Sequence, residues 1–159
     1  ASEPTLEEWE RREETRILEA KEVPETDRLA LVQARRGQGI FRANVREVER
    51  ACRVTRVDRP EHLIASHIRP WRDSSNGDRL AGENGLLLTP TIDHLFDKGF
   101  ISFEGDGRLV VSPVAHEESL VRMGIRRSEK VNVGAFSEQQ REFLEYHREN
   151  VFREAGVRR

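Results

Sequence analysis

Cysteine, methionine and tyrosine each occur once in these 159 residues, and aromatic side chains make up only 6% of them. A lone cysteine, Cys52, excludes an internal disulfide and any Cys₄ or Cys₂His₂ zinc centre. It fits a reducing compartment, the cytoplasm being the expected location, and reads as a small buried hydrophobe. No apolar run approaches the ~18 residues of a membrane helix. The acidic N-terminus lacks a basic-then-apolar leader, so neither membrane insertion nor secretion is expected. There is no internal repeat, no low-complexity tract and no segment that separates as a linker. A chain of this length is one domain, or one domain with an appendage.

What is present is charge with a core beneath it. Charged residues reach 35% and the mean hydropathy is -0.72, yet seven Phe, two Trp and many aliphatic residues remain. The net charge of -2 conceals a division along the chain. Residues 1–27 carry ten acidic and four basic side chains, whereas residues 28–60 carry three acidic and nine basic. The second segment is suited to a polyanion and the first to shielding it.

Periodicity predicts a helix over 5–22 with Leu6, Trp9, Ile17 and Leu18 on one stripe, broken at Pro24. A second helix is expected from a Thr26 cap to Arg36, stopped by Gly37 and Gly39, and a third through Phe41, Val45 and Val48 with Arg42, Arg46 and Arg50 outward. Val54 and the run Leu63 to Ile68 read as paired strands about a turn at Asp58-Arg59-Pro60. Arg69 to Glu83 reads as a functional loop of about fifteen residues, with Trp71 packed into the core beneath it rather than stacking on a base. Leu86 to Leu88 is a strand, and Thr89-Pro90 caps and starts a helix that runs to Lys98 and stops at Gly99. Phe100 to Phe103 and Arg108 to Ser112 flank Glu104-Gly105-Asp106-Gly107 as a hairpin. A short helix spans Glu117 to Met123, and Ser137 with Gln140 forms a capping box for a last helix through Phe143, Leu144, Val151 and Phe152.

The chemistry-bearing residues are concentrated between Ser66 and Gly99. His67 ends a strand, Asn84 follows the long loop, and Asp93 and Asp97 stand four residues apart, on one helix face. Two carboxylates on one face repel unless a cation lies between them, and oxygen donors favour Mg²⁺ or Mn²⁺. Other transition metals enter if His94 is a ligand. A ββα layout would gather His67 and that helix face about one centre. A neutral imidazole can take a proton from water while a metal offsets charge on a phosphate. The Asn84 amide is suited to bonding the backbone of the loop, so fixing how His67 is presented. Together these are the parts needed to hydrolyse a phosphodiester.

The same residues carry a resemblance. Gly37-Gln38-Gly39-Ile40-Phe41-Arg42, Cys52-Arg53-Val54-Thr55, Ala65-Ser66-His67-Ile68-Arg69-Pro70-Trp71, Asn84 to Leu88, Leu95 to Gly99 and the ending Tyr146 to Phe152 resemble the zinc-finger-free branch of the HNH endonuclease family, the ββα-metal or His-Me finger nucleases. The resemblance implies an α+β fold: a ββα-metal core with flanking N- and C-terminal helices and an extra β-hairpin. It implies His67 as general base, Asn84 as the middle Asn, and a helix-borne metal ligand. The family's nine-residue spacing from Asn84 reaches Asp93, whereas His94 would complete a literal H-N-H. Adjacent helix residues point about 100° apart, so Asp93 with Asp97 is the expected metal set and His94 the competing ligand or a phosphate contact. The family often has a carboxylate or second histidine just before the base, and Ser66 departs from that.

The expected division is therefore an N-terminal helical extension over 1–36 and an HNH nuclease domain over 37–159, with its core at about 50–103. The expected activity is metal-dependent hydrolysis of double-stranded DNA, in a restriction or phage-defence setting, with Arg35, Arg36, Arg42, Arg46 and Arg69 on the phosphates. One such site cuts one strand, so a homodimer is the expectation for double-strand cleavage, and a regulatory or DNA-reading domain outside this chain is a further expected partner. The alternatives are a non-catalytic nucleic-acid-binding module with an HNH-like fold, or a partner-binding scaffold using the acidic N-terminal helix. His62, His116 and His147 read as structural or surface residues.

Overall fold

The computed structural model describes residues 25–154 together with Glu8, Arg11 and Arg12. The stripe Leu6, Trp9, Ile17 and Leu18 of the helix expected over 5–22 lies outside the described residues, and Thr26 stands inside the next helix rather than at its cap. The chain enters through one long helix, α1 (Glu25–Val48). Gly37 and Gly39 do not stop it, so the two helices expected there are one. A glycine stop needs a left-handed residue, and neither glycine has a positive φ. Each costs roughly 1 kcal/mol inside a helix. Burial of Val32, Phe41 and Val45, each 2% exposed or less, outweighs that cost.

The Val54 segment is a turn, not a strand. Cys52 and Val57 close it with a 2.9 Å bond from the Cys52 amide to the Val57 carbonyl, and Arg56 turns left-handed at φ 68°. Arg53 anchors it: the guanidinium pairs with Glu49 at 2.6 Å, donates to the Gly134 carbonyl at 2.7 Å and lies over Phe136. These tertiary contacts override the β propensity of Val54 and Thr55.

Strand β1 (Ile64–His67) instead pairs antiparallel with a strand across the loop, in the register Ala65 to Leu87, Ser66 to Leu86 and His67 to Gly85. The intervening segment is not featureless: it holds 3₁₀ turns at Trp71–Asp73 and Gly82–Asn84 and a short helix, α2 (Asn76–Leu80), capped by the Ser75 side chain. Strand β2 (Gly85–Leu88) leads into α3 (Pro90–Asp97), as expected, with Gly99 at φ 77° ending the turn. Thr89 holds the cap position through its backbone carbonyl, which accepts from the Asp93 amide at 2.8 Å; its side chain makes no cap bond.

Strands β3 (Ile101–Phe103) and β4 (Leu109–Val111) form the expected hairpin, followed by α4 (Glu117–Arg122) and α5 (Glu138–Asn150), whose Ser137–Gln140 capping box is complete. The whole is an α+β fold of helices about two small antiparallel sheets.

The β1–β2 hairpin is covered on both faces. Side chains alternate along a strand, so paired residues His67 and Gly85 face α1, and Ser66 and Leu86 face α3. A Cβ on Gly85 would run into Val45 and Phe41, which measures how closely α1 lies on that face. Phe96, Leu95 and Ile92 of α3 are buried beside Leu86 and Leu88 in the same core.

Candidate active site

His67 is the last residue of β1, and its ring stacks on Phe41 of α1 with centroids 3.6 Å apart and planes 5° from parallel. Its Nε2 lies 2.8 Å from the Arg79 carbonyl oxygen. A carbonyl only accepts, so Nε2 carries the hydrogen and Nδ1 keeps its lone pair. Burial pushes the imidazole pKa below its ordinary value; the Arg79 carbonyl works against that and the Arg79 guanidinium with it. The ring is thus held as a neutral, single-tautomer proton acceptor.

Asn84 holds the segment from which that carbonyl comes. It is fully buried, and its Oδ1 accepts from the Arg69 amide at 2.8 Å. Its Nδ2 donates to the Asp78 carbonyl at 3.0 Å and the Ser74 hydroxyl at 3.4 Å. One side chain therefore ties the start of the 69–84 segment to its middle, one residue from Arg79. Tyr146 of α5 donates to Asp73 at 2.9 Å, and Asn44 of α1 donates to the Leu80 carbonyl at 2.7 Å, fixing the same segment from outside.

On the other face, Asp93 is half-buried in α3. Burial raises its pKa first, a hydrogen bond from the Ser66 side chain opposes this, and the Asp97 carboxylate raises it again. Ser66, Asp93 and Asp97 thus form an oxygen-donor group beside β1. Among the described residues no cluster of three or more His, Cys, Asp and Glu is built to hold an ion. Oxygen donors of this kind are those that a hard divalent cation takes, with Asp93 and Asp97 the residues that would hold it. His94 lies exposed on another side of α3, its ring centroid 6.4 Å from that of Phe100.

The expected residues therefore fall into two sets, His67 with Asn84, and Asp93 with Asp97. They meet through Ser66 and His67, consecutive residues that face opposite ways. Of the expected phosphate-binding arginines, Arg42 and Arg46 are half-buried in α1, each next in sequence to Phe41 or Val45. Arg36 is exposed on α1, and Arg35 lies in the same helix with a side chain outside the described set. Arg69 is engaged within the protein: its Nε donates to the Asp73 carbonyl at 2.7 Å and its guanidinium lies 4.3 Å from the Tyr146 ring centre.

Trp71 is corrected: it is 48% exposed, not core. The short 3₁₀ turn that carries it points the indole outward, and the space beneath the loop is filled by Ser74 and Asn84. His147, read as structural or surface, is buried, stacked on Phe96 and bonded at 2.8 Å to both Ser102 and the Phe96 carbonyl. His62 is exposed, and His116 caps α4.

Sequence reasoning missed Arg79 and Phe41, which between them set the His67 tautomer and plane. Arg79 acts through its backbone, which leaves no residue-type signal. Phe41 stood in a helical stripe and its partner could come only from the strand register.

A family model described as HNH endonuclease matches residues 52–104, the span from the Cys52 turn through β1, β2, α3 and β3. No curated protein matches the chain.

Proposed function

We propose that this chain, whose residues 52–104 match the HNH endonuclease family model, a match that suggests a nuclease-type function, is a metal-dependent endonuclease that hydrolyses phosphodiester bonds of double-stranded DNA. The observation that carries the reading is the 2.8 Å contact of His67 Nε2 with the Arg79 carbonyl, which leaves Nδ1 as the proton acceptor. In this reading Nδ1 takes a proton from a water that attacks phosphorus, and the imidazolium formed is eased by the same carbonyl. General-base catalysis of this kind is worth roughly 10²–10⁴-fold. Asn84 works as a positioning residue, through the loop.

Asp93, with Asp97 one turn along, would hold a single divalent ion, Mg²⁺ or Mn²⁺. Such an ion neutralises charge on the scissile phosphate and the leaving oxygen. Ser66 orients the Asp93 carboxylate, so the acidic group absent from the strand is supplied by the helix. His94 is assigned a phosphate contact. Arg42 and Arg46, next in sequence to Phe41 and Val45 on α1, are proposed to hold backbone phosphates, contacts that position without specifying sequence.

The nuclease domain is proposed to occupy 37–159, with 1–36 an extension that continues into it through α1. A homodimer is proposed for cutting both strands, and a restriction or phage-defence setting is one that the resemblance permits. No described helix is long and apolar enough to cross a membrane.

The test is nicking of supercoiled plasmid with Mg²⁺, Mn²⁺ or EDTA, beside His67→Ala. The proposal expects metal-dependent relaxation, lost with EDTA and in the variant. DNA binding without cleavage in any metal would overturn it in favour of the non-catalytic binding module.

A further inference from the structure

A single exposed apolar side chain is ordinary, but an aromatic plane held against a guanidinium at the mouth of a charged groove can serve as a stacking surface. Trp71 is such a residue. Its indole does not hang free: the Arg79 guanidinium covers one face at 4.5 Å from the ring centre, and the His67 ring approaches at 5.8 Å. Arg79 Nε also donates to the Trp71 carbonyl at 3.0 Å, and the 3₁₀ turn is closed by the Asp73 amide on the Pro70 carbonyl at 2.9 Å. The ring is therefore fixed before any ligand arrives.

Trp71 lines an open groove of about 530 Å³, bounded also by Pro70, Arg72, Asp97, Lys98 and Arg153. That volume lies within the range of small-molecule sites, ~300–1,000 Å³. Three of its nine lining residues, Arg72, Lys98 and Arg153, are cationic and two, Asp73 and Asp97, are acidic. Arg153 is braced there by a 2.7 Å bond to the Lys98 carbonyl and by the Phe100 ring under its guanidinium at 4.8 Å. Asp73 also borders the groove, and the Tyr146 hydroxyl donates to its carboxylate. Asp97 joins the groove to the acidic side of the candidate active site, and Trp71 joins it to His67.

An aromatic plane backed by a guanidinium, beside cations and leading to a phosphate-cleaving centre, has the chemistry of a nucleobase subsite. A base inside a duplex is already stacked on both faces and cannot lie on the indole. Resting on the nuclease reading above, we propose that this groove receives an unpaired nucleotide next to the scissile phosphate, so that the favoured substrate is DNA with a gap, flap or single-stranded stretch at the cut. Trp71 is the stacking residue, Arg79 its backing, and Arg72, Lys98 and Arg153 the contacts to the flanking phosphates.

The experiment follows Trp71 emission in a Trp9→Phe protein, where it is the sole tryptophan, titrated in EDTA with a fully paired DNA hairpin or the same hairpin carrying a short single-stranded gap. The gapped DNA is expected to quench the emission and bind about 10-fold more tightly, the scale of one stacked base. Trp71→Ala, followed by labelled-DNA anisotropy, is expected to lose that preference, and Trp71→Phe to keep most of it; circular dichroism checks that both are folded. Equal affinity for the two DNAs, or a preference that survives in Trp71→Ala, would overturn the subsite. Gap preference without nicking in any metal would overturn the nuclease reading alone, and nicking without gap preference the subsite alone.

Discussion

The two faces of the β1–β2 hairpin are built on opposite principles. On the α1 face a histidine is held neutral by burial and the nearby Arg79 guanidinium, while a backbone carbonyl sets its tautomer. On the α3 face a carboxylate is held among oxygen groups and pressed upward in pKa by burial and a second carboxylate. Placed together, an ordinary imidazole and two carboxylates would pair, and the histidine would be protonated and useless as a base. A single strand separates them while its last two residues, Ser66 and His67, keep them adjacent. In the proposed reading, a four-residue strand keeps a base and a metal site chemically distinct at one centre.

Removing each side should break the comparison differently, and the largest effect belongs to the base. His67→Ala is expected to lower the plasmid nicking rate by about 10²–10⁴-fold at saturating Mn²⁺, with no added metal restoring it. Asp93→Asn should instead raise the Mn²⁺ concentration for half-maximal nicking by at least about 10-fold, the lower limit seen even for an outer-sphere partner. Rescue of His67→Ala by excess metal, or none for Asp93→Asn, would erase the distinction.

Asn84→Ala comes next. It leaves the Arg69 amide and the Asp78 carbonyl without their buried partner, costing about 2–3 kcal/mol, read as a lower urea midpoint at unchanged slope. It should also slow nicking in the remaining folded protein, because the Arg79 carbonyl loses its tether. A stability loss with full nicking would make Asn84 structural only.

The pH dependence sharpens the same point. Because the folded His67 pKa lies below the ordinary value of about 6.5, the ring stays a proton acceptor below that pH, and the acid limb of nicking should fall there. The unfolded chain takes the proton first, so stability should decline as pH drops through 6.5, by a slope that is reduced in His67→Ala. Urea midpoints of both proteins between pH 5 and 8 check it.

The smallest effect is Gly37→Ala, expected to add about 0.5–1 kcal/mol in the same assay, since helix α1 runs through the position and a Cβ there meets nothing within 4 Å.

That last substitution also marks where sequence reasoning reached and where it stopped. Features written in local chemistry were legible: the Thr89-Pro90 helix start, the Gly-rich β3–β4 turn, the Ser137–Gln140 box and, at the candidate site, the bonding of the Asn84 amide to the loop backbone. Features set by distant contacts were not. Gly37 and Gly39 read as a stop because the burial of Phe41 and Val45 on the hairpin could not be seen. Val54 read as strand because the Arg53 anchor to Gly134 lies 81 residues away. Trp71 read as core because its composition is apolar and only the 3₁₀ turn reveals its direction. The separation of Ser66 from His67 followed from alternation once β1 was granted, but the identity of its two neighbours, α1 and α3, required the fold.

The most direct test of the two-sided centre is Mn²⁺ binding, followed by electron paramagnetic resonance in the presence of a non-cleavable phosphorothioate DNA, for wild type, His67→Ala and Asp93→Asn. Retention of the ion by His67→Ala with weakened binding by Asp93→Asn is the predicted result. Loss of the ion from His67→Ala, with Asp93→Asn unaffected, would contradict the account.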